Sequence, residues 1–303
     1  MFIDTHGHIQ FNAYKEDGDA VVKRAFDAGV AIIAPASQID TSRRAVEYAE
    51  RWNTPWLRAA IGLHPIHLED VRVDSSEVGD QFKFRTRKEE FDRGKYEELL
   101  QSETVVAIGE IGLDYWRRPK SKVKRAEYEG RQKEAFIAQL DMAADHNLPV
   151  ILHCRVAHDD MLAIVSEHPH RSKMEYPGVV HSYTGDLVQL EKFLSLGFSI
   201  GVNGLLFKLP FVEEAVKAAP LDRIVLETDA PYLTPPIPTG TRQQMEEAGQ
   251  DPERNEPMNL PIIASRIAEL KGLSLEEVEG VTTENAIRIF GLKGIKEGEG
   301  VDN

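Results

Sequence analysis

Histidine and carboxylate side chains recur in this sequence at, or just past, the ends of short apolar runs. His6 and His8 are two residues apart, so on an extended strand their imidazoles point to the same side. Two imidazoles on one face, preceded by Asp4, can chelate a divalent metal ion. An ordinary buried polar pair is the alternative, but it is the weaker one, because buried imidazoles without partners are unfavourable.

Four more ionisable residues end apolar runs. They are Glu110 after VVAIG, His153 after VIL, His181 after VV and Asp229 after IVLET. With His6 and His8 they offer the mixed nitrogen and oxygen ligands of a two-metal hydrolytic site, suited to Mg²⁺, Mn²⁺ or Zn²⁺. A structural zinc site would more usually include several thiolates, and Cys154 is the only cysteine. We therefore expect two divalent metal ions as cofactors.

The elements that would position these residues alternate along the chain. Runs rich in Ile, Val and Leu predict strands at residues 2–6, 30–34, 57–61, 105–108, 150–153, 179–181, 199–202 and 224–228. Amphipathic patterns predict helices at 20–28, 42–51, 96–101, 128–146, 159–168, 187–196, 212–218 and 260–271. Eight strands, each followed by a helix, favour an α/β fold of the (β/α)8 TIM-barrel type over a doubly wound open sheet. In a barrel the strand ends meet at one mouth, where active sites lie.

The remaining sequence predicts one barrel domain over residues 1–292 and a polar, flexible tail over 293–303. Residues 274–290 form one or two extra helices, with Ser274 and Glu277 as a capping box and Thr283 as a possible second cap. Three long charged connections, 68–95, 115–125 and 235–254, would leave the carboxyl ends of strands. Their position suggests substrate contacts or a lid, and surface insertions without a function are the alternative.

Composition bounds the class of protein. The chain has 303 residues, 42% of them hydrophobic, which is enough for a large core. A single cysteine excludes a disulfide framework, and neither a signal peptide nor a long apolar run is apparent, so we expect a soluble cytoplasmic protein without membrane contact. The formal net charge of −14 opposes binding of nucleic acid by the average surface.

Seven motifs occur in a fixed order across residues 1 to about 292. They are DTHGH (4–8), GLHP (62–65), GEIGLDY (109–115), LPVILHCR (148–155), HSYTG (181–185), ETDAPYL (227–233) and RNEP (254–257). In type and order they resemble the TatD family of metal-dependent deoxyribonucleases, within the wider group of amidohydrolase-like barrels. The stretch VVAIGEIG has no lysine, which argues against the branch of that group that bridges its metals through a carbamylated lysine.

The resemblance implies a role for each candidate metal ligand. One ion would be held by His6, His8, Glu110 and Asp229, and Glu110 would bridge to a second ion held by His153 and His181. Asp229 would also take the proton from the attacking water, so Asp229 and Glu110 are the candidate catalytic residues.

The resemblance also implies substrate-binding residues. His64 would contact the substrate phosphate, and Arg155 and Arg254 would close the mouth. Arg254 could clamp a phosphate, but a staple to Glu256 that holds the last loop is equally possible. Glu227 would either orient neighbouring groups or support the fold. Departures from the family pattern at Ser182, Tyr183 and Asn203, and the length of loops 68–95 and 235–254, leave the exact substrate open.

Local charge bears on the polynucleotide question. Six cations lie within nine residues after the fourth predicted strand: Arg117, Arg118, Lys120, Lys122, Lys124 and Arg125. A second basic run contains Lys83, Arg85, Arg87 and Lys88. These runs could hold a strand end, with stacking on Tyr115 or Trp116, or they could be solvated loops balanced by Glu89, Glu90 and Glu127.

These observations favour a metal-dependent phosphodiesterase that trims single-stranded DNA or RNA from an end, in the 3′–5′ direction, by attack of a metal-activated water. A metal-dependent ester or amide hydrolase, such as an aminoacyl-tRNA deacylase, is the alternative, because hydroxide attack at a carbonyl uses the same residues. A non-catalytic metal-binding barrel is the third hypothesis. The sequence does not specify the oligomeric state.

Overall fold

Eight parallel strands form a barrel in the computed structural model, which describes residues 1–73, 84–169, 173 and 176–295. The strands are β1 (Phe2–Asp4), β2 (Val30–Pro35), β3 (Leu57–Ile61), β4 (Arg72–Val73), β5 (Phe84–Arg85), β6 (Val105–Asp114), β7 (Val150–Arg155), β8 (Gly178–His181), β9 (Ser199–Val202) and β10 (Ile224–Leu226). The barrel order is β1-β2-β3-β6-β7-β8-β9-β10, and β4 pairs with β5 as a separate antiparallel hairpin.

The two ends of the sheet meet, which closes the barrel. The amide of Thr5 donates to the carbonyl of Leu226 at 3.0 Å, and the amide of Asp229 donates to the carbonyl of His6 at 2.8 Å. An open, doubly wound sheet would leave its two outer strands apart. The predicted (β/α)8 barrel is therefore confirmed.

Helices surround the barrel and cover the outer faces of its strands. They are α1 (Gly18–Asp27), α2 (Ile39–Trp52), α3 (Arg93–Leu99), α4 (Lys122–His146), α5 (His158–Glu167), α6 (Leu187–Ser195), α7 (Pro210–Ala218), α8 (Thr239–Glu247), α9 (Leu260–Lys271) and α10 (Leu275–Phe290). All residues of β2 and β6 are buried, as expected for parallel strands that are covered on both sides. The main core contains side chains from both layers, such as Leu57 and Leu140.

The C-terminal helix α10 is one continuous helix beside the amino ends of β1 and β10. The predicted capping box of Ser274 and Glu277 is present. Thr283 does not start a second helix; its hydroxyl donates to the backbone carbonyl of Met1 at 2.8 Å, while the Asn285 amide donates to the carbonyl of Ile224. These contacts hold the chain end against the side of the barrel opposite the mouth.

Several predicted boundaries were wrong. Strand β6 continues to Asp114 instead of ending at Ile108, because its extra residues pair with β7. Helix α4 begins at Lys122, so part of the predicted loop 115–125 is helical. The predicted loop 235–254 contains α8, and loop 68–95 contains the β4–β5 hairpin. Residues 74–83 of that loop, with Lys83, lie outside the described residues, as does the tail from residue 296.

Across the described ranges, we find no helix that combines the length and the apolar character needed to cross a bilayer.

Candidate metal centre

The six candidate metal ligands come together at the carboxyl ends of the barrel strands. His153 and His181 lie on β7 and β8, while His6, His8 and Asp229 follow β1 and β10. Glu110 lies within β6, where the pairing with β7 shifts register between Gly109 and Ile111. A bulge of this kind bends a strand and changes the direction of a side chain, so it explains how Glu110 reaches the group.

The first cluster contains one atom from each of four residues. The Nε2 atoms of His6 and His8 are 3.1 Å apart, and Glu110 Oε2 lies 3.3 Å from the former and 3.9 Å from the latter. Asp229 Oδ1 lies 3.4 Å from His8 Nε2 and 3.9 Å from His6 Nε2. Ligands that hold one ion at about 2.0–2.2 Å are about 3.0–3.6 Å from one another. Three of the five distances lie in this range and the two of 3.9 Å are longer, so the four residues would have to draw slightly closer together around a single divalent ion.

The second cluster lies around the other oxygen of the same carboxylate. Glu110 Oε1 is 2.8 Å from His153 Nδ1, 3.5 Å from His64 Nε2 and 3.8 Å from His181 Nε2. The two oxygens of Glu110 therefore face different sets of imidazoles. This is the geometry in which one carboxylate can bridge two ions.

The protonation of three histidines follows from the partners of their outer nitrogens. His8 Nδ1 lies 2.9 Å from the carbonyl oxygen of Pro35, which can only accept, so this nitrogen carries the proton. His181 Nδ1 is in ion-pair contact with Glu227 Oε2 at 3.0 Å, and His153 Nε2 lies 3.2 Å from Asp114 Oδ2. In each ring the remaining nitrogen can then present a lone pair to the clusters, as metal-binding histidines do.

His64 differs from the other histidines of the site. Its Nδ1 accepts a hydrogen bond from the amide of Ile66 at 3.0 Å, so the proton of the neutral ring lies on Nε2. A protonated nitrogen cannot ligate a metal ion, but it can donate to an anionic oxygen. His64 is thus near enough to serve as a ligand, yet its hydrogen bonding suits contact with an anion.

Electrostatics keep the central carboxylate charged. Burial alone would raise the pKa of Glu110, but His64, His6 and a hydrogen bond with His153 hold it well below its usual value. Burial would lower the pKa of His181, yet Glu227 raises it to about 10. A divalent ion would have to displace the second proton of this ring, on Nε2, while the proton on Nδ1 stays against Glu227.

Glu227 organises one side of the site. Besides its contact with His181, its Oε1 accepts hydrogen bonds from the amide of Ser182 at 2.6 Å and from the side chain of Asn203 at 3.0 Å. Gly201 leaves room for this carboxylate, because a Cβ there would overlap Glu227 Oε2. Asn203, one of the departures from the family pattern, therefore has a role in orienting Glu227.

The sequence reasoning missed Asp114. Its Oδ2 contacts His153 Nε2, and its Oδ1 accepts from the backbone amide of Trp116 at 2.9 Å. The available signal was its place in the motif GEIGLDY, four residues after Glu110. Because the predicted strand ended at Ile108, nothing placed Asp114 beside His153.

Backbone strain accumulates at the same end of the barrel. Val156, Ser182 and Asp229 have φ angles of 58°, 48° and 57°, in the left-handed region that non-glycine residues rarely adopt. Asp229 is itself a candidate ligand, Ser182 directly follows the candidate ligand His181, and Val156 directly follows Arg155 at the end of β7. Such strain costs of order 1–3 kcal/mol per residue and persists where a functional geometry requires it.

Comparison with known proteins identifies the family. The model of the family described as TatD related DNase matches residues 3–291. This chain belongs to the TatD family. It is 33% identical to an uncharacterised metal-dependent hydrolase, YabD, of Bacillus subtilis over 294 residues, covering 96% of this chain and 99% of the relative.

A second relative has a more specific name. It is the 3′-5′ ssDNA/RNA exonuclease TatD of Pantoea vagans, 34% identical over 292 residues, covering 92% of this chain and 95% of the relative. Among solved structures, a TatD homologue of Escherichia coli, YjjV, superposes with a TM-score of 0.76 at 30% identity, covering 96% of this chain and 98% of that one. The family and barrel predictions are confirmed, and the relatives and ligand clusters support a divalent-metal-dependent hydrolase.

The two arginines predicted to close the mouth of this TatD-family chain lie in different surroundings. Arg155 ends β7, and its guanidinium lies over the ring of Trp116, 4.4 Å from the ring centroid. Arg254 pairs with Asp17 at 2.5 Å and with Glu256 at 3.2 Å, and neither of these is a candidate metal ligand. Of the two roles left open for Arg254, its contacts favour the staple of the last loop.

The two basic runs also differ. In the second run, Arg85 pairs with Asp70 at 2.6 Å and Arg87 pairs with Asp40 at 2.5 Å, so these cations are balanced. In the first run Arg118 approaches Glu129 at 3.6 Å. Three lysines of this run are exposed and make no ion pair with a described residue: Lys120, Lys122 and Lys124.

Proposed function

We propose that this chain is a two-metal phosphodiesterase that removes nucleotides from the 3′ end of single-stranded DNA or RNA. The observation that carries the proposal is the position of Glu110, whose two carboxylate oxygens face two separate sets of imidazoles at the mouth of the barrel. Relatives named 3′-5′ ssDNA/RNA exonuclease, which align with more than nine tenths of the chain, support the substrate class and the direction.

Six residues would hold the two ions. The first ion would bind His6, His8, Glu110 and Asp229, and the second would bind Glu110, His153 and His181. When bound, such ions act as Lewis acids that make a water more acidic and offset negative charge on a phosphate. The carbonyl of Pro35 and the carboxylates of Asp114 and Glu227 contact the outer nitrogens of three of these rings, and they would hold the rings in the orientation that ligation requires.

Asp229 would accept the proton of the attacking water. Burial would raise its pKa, but the hydrogen bond with His8 and the nearby His181 and His6 hold the pKa below its usual value. Asp229 is therefore a carboxylate at neutral pH, and its side chain keeps 16% of its surface exposed, so a water can reach it.

His64 would bind the phosphate that is attacked. Its Nε2–H points into the second cluster, 3.5 Å from Glu110 Oε1, and a phosphate oxygen there could accept this hydrogen bond. Charge that develops on the phosphate would strengthen the bond, so we expect His64 to contribute to the rate as well as to affinity.

Hydrolysis of end-labelled single-stranded DNA tests the proposal. Protein stripped of metal is given Mg²⁺, Mn²⁺ or Zn²⁺ together with a 5′-labelled oligonucleotide. A ladder of products that shorten one nucleotide at a time is expected, and it should be lost in Glu110→Gln. Glu103→Gln is the matched control, because Glu103 is an exposed carboxylate just before the amino end of the same strand.

Other outcomes would contradict the proposal. Release of a single labelled nucleotide first would reverse the direction of digestion. Intact DNA together with turnover of a simple carboxylic ester would indicate the acyl hydrolase. Inactivity on both substrates with every metal would favour the non-catalytic barrel.

A further inference from the structure

Trp116 is an exposed aromatic residue beside the candidate metal centre. It follows the last residue of β6 by two positions, and 56% of its surface is exposed. Its neighbour Tyr115 is 4% exposed, and the Tyr115 hydroxyl donates to Asp160 at 2.8 Å. Of the two aromatic residues that the sequence offers for stacking, the structure therefore makes only Trp116 accessible.

The indole ring of Trp116 is in contact with a cation on one face. The Arg155 guanidinium lies 4.4 Å from the ring centroid, within the range of a cation–π contact. Arg155 is two residues beyond His153 on β7, so the two side chains share a face, roughly 6.6 Å apart along the strand. The Arg155–Trp116 pair thus lies beyond His153, a candidate ligand of the second ion, toward the carboxyl end of β7.

Asp114 ties this pair to the metal centre. One of its carboxylate oxygens contacts His153 Nε2, and the other accepts from the amide of Trp116. The backbone carbonyl of Asp114 accepts from the Tyr128 hydroxyl and from the Gln132 amide, each at 2.9 Å. The backbone of Trp116 is consequently linked to His153 through Asp114, whose own carbonyl is held by buried hydrogen bonds.

The charge near this pair suits an anion. Helix α4 starts six residues after Trp116 with Lys122 and Lys124, and its first turn has no acidic residue. Cations at a helix amino terminus are unfavourable, because the helix dipole is already positive there. The cost is offset when an anion binds, which makes this end of α4 a suitable neighbour for phosphates.

Exposed apolar side chains continue around the same half of the mouth. Val156 follows Arg155 directly, and Leu187 and Val188 open helix α6 after β8. An occupant that combines negative charge with flat apolar faces fits this surface, and a nucleotide has both properties.

We propose that Trp116, backed by Arg155, is the stacking site for the base of the terminal nucleotide. This inference rests on the proposed function. Every base has a π-face, so the site accepts any base. It requires that the base be unpaired and turned out of a helix, so it also selects single-stranded ends over paired ones.

Steady-state kinetics on two matched oligonucleotides test the inference. They are identical except that the terminal nucleotide either carries its base or is abasic. Base–aromatic stacking corresponds to about a five- to hundredfold effect on affinity. Trp116→Ala should raise KM for the base-bearing strand by that factor, leave kcat within about twofold, and change little on the abasic strand. Trp116→Phe should retain most of the affinity, since a smaller aromatic ring still stacks.

The control variant is Tyr176→Ala. Tyr176 also has an arginine over its ring, since the Arg288 guanidinium lies 5.1 Å from the ring centroid. Tyr176 precedes the amino end of β8, however, and therefore lies at the end of the barrel away from the mouth. It should leave KM unchanged on both strands. Metal content, measured in parallel, should be equal in all variants.

The outcomes separate the two proposals. A wild-type protein that never shortens DNA would overturn the proposed function and this inference with it. An active wild type whose KM is unaffected by Trp116→Ala would overturn the stacking site alone. The stacking site would also be refuted if Trp116→Ala impaired the abasic and base-bearing strands equally, since that result indicates a structural role.

Discussion

Replacing Arg254 by alanine should destabilise the fold and leave substrate affinity close to that of the wild type. The guanidinium donates to the carbonyl of Ala13 at 2.9 Å, to the two carboxylate oxygens of Asp17 at 2.9 and 2.5 Å, and to Glu256 at 3.2 Å. It lies 4.7 Å from the ring centroid of Tyr14. These contacts join the loop after β1 to the loop before α9, which are more than 230 residues apart in sequence.

The magnitude follows from the burial of the partners. Glu256 is fully buried, and breaking a buried ion pair costs about 3–5 kcal/mol. Asp17 is partly exposed, and Glu256 keeps its hydrogen bonds from Arg24 at 2.7 and 2.8 Å, so we reduce this to about 2–3 kcal/mol. With an unfolding entropy of about 2 cal/mol/K per residue, the whole chain gives about 0.6 kcal/mol/K, and Tm should fall by about 3–5 °C.

Thermal unfolding and KM for a single-stranded oligonucleotide are the two assays. Arg85→Ala is the control, since Arg85 makes an equally short paired contact with Asp70 but is exposed, and its Tm should change by about 1 °C or less. A tenfold rise in KM with an unchanged Tm for Arg254→Ala would refute the structural role of Arg254 in holding the last loop. It would instead support a role for Arg254 in binding a substrate phosphate.

Three further substitutions have defined outcomes. Gly201→Ala should displace Glu227 and weaken metal binding by about 10–100-fold in a calorimetric titration. An unchanged metal affinity would show that Glu227 does not orient His181 for metal binding. Gly280→Ala, at a helical position with open space around it, should raise Tm by about 1–2 °C and leave metal affinity unaltered; a lower Tm would contradict this. Ser274→Ala should lower Tm by about 2 °C through loss of the capping box, and a wild-type Tm would show that the cap is not stabilising.

The barrel and the convergence of its six candidate ligands could be predicted because both depend on local patterns. Apolar runs of three to five residues mark buried parallel strands, and a polar residue at the carboxyl end of such a run must lie at the mouth. His153 and His181 are direct examples, since each is the residue at which the predicted strand ended.

The remaining features depend on contacts between distant parts of the chain. The register shift at Glu110 is set by pairing with β7, and the hydrogen bonds of Asn203 to Glu227 depend on two neighbouring strands. The protonation of His64 depends on one amide, that of Ile66, whose direction the sequence pattern does not specify. Arg254 could not be assigned either, because its partner Asp17 is 237 positions away.

The number of divalent ions bound per chain tests the central claim most directly. Equilibrium dialysis of metal-free protein against Mn²⁺, followed by elemental analysis, should give two ions for the wild type and for Glu103→Gln. Glu110→Gln should retain at most one at the same free concentration, because both positions share this carboxylate. A wild type that saturates with one ion, or a Glu110→Gln protein that still binds two with equal affinity, would contradict the account.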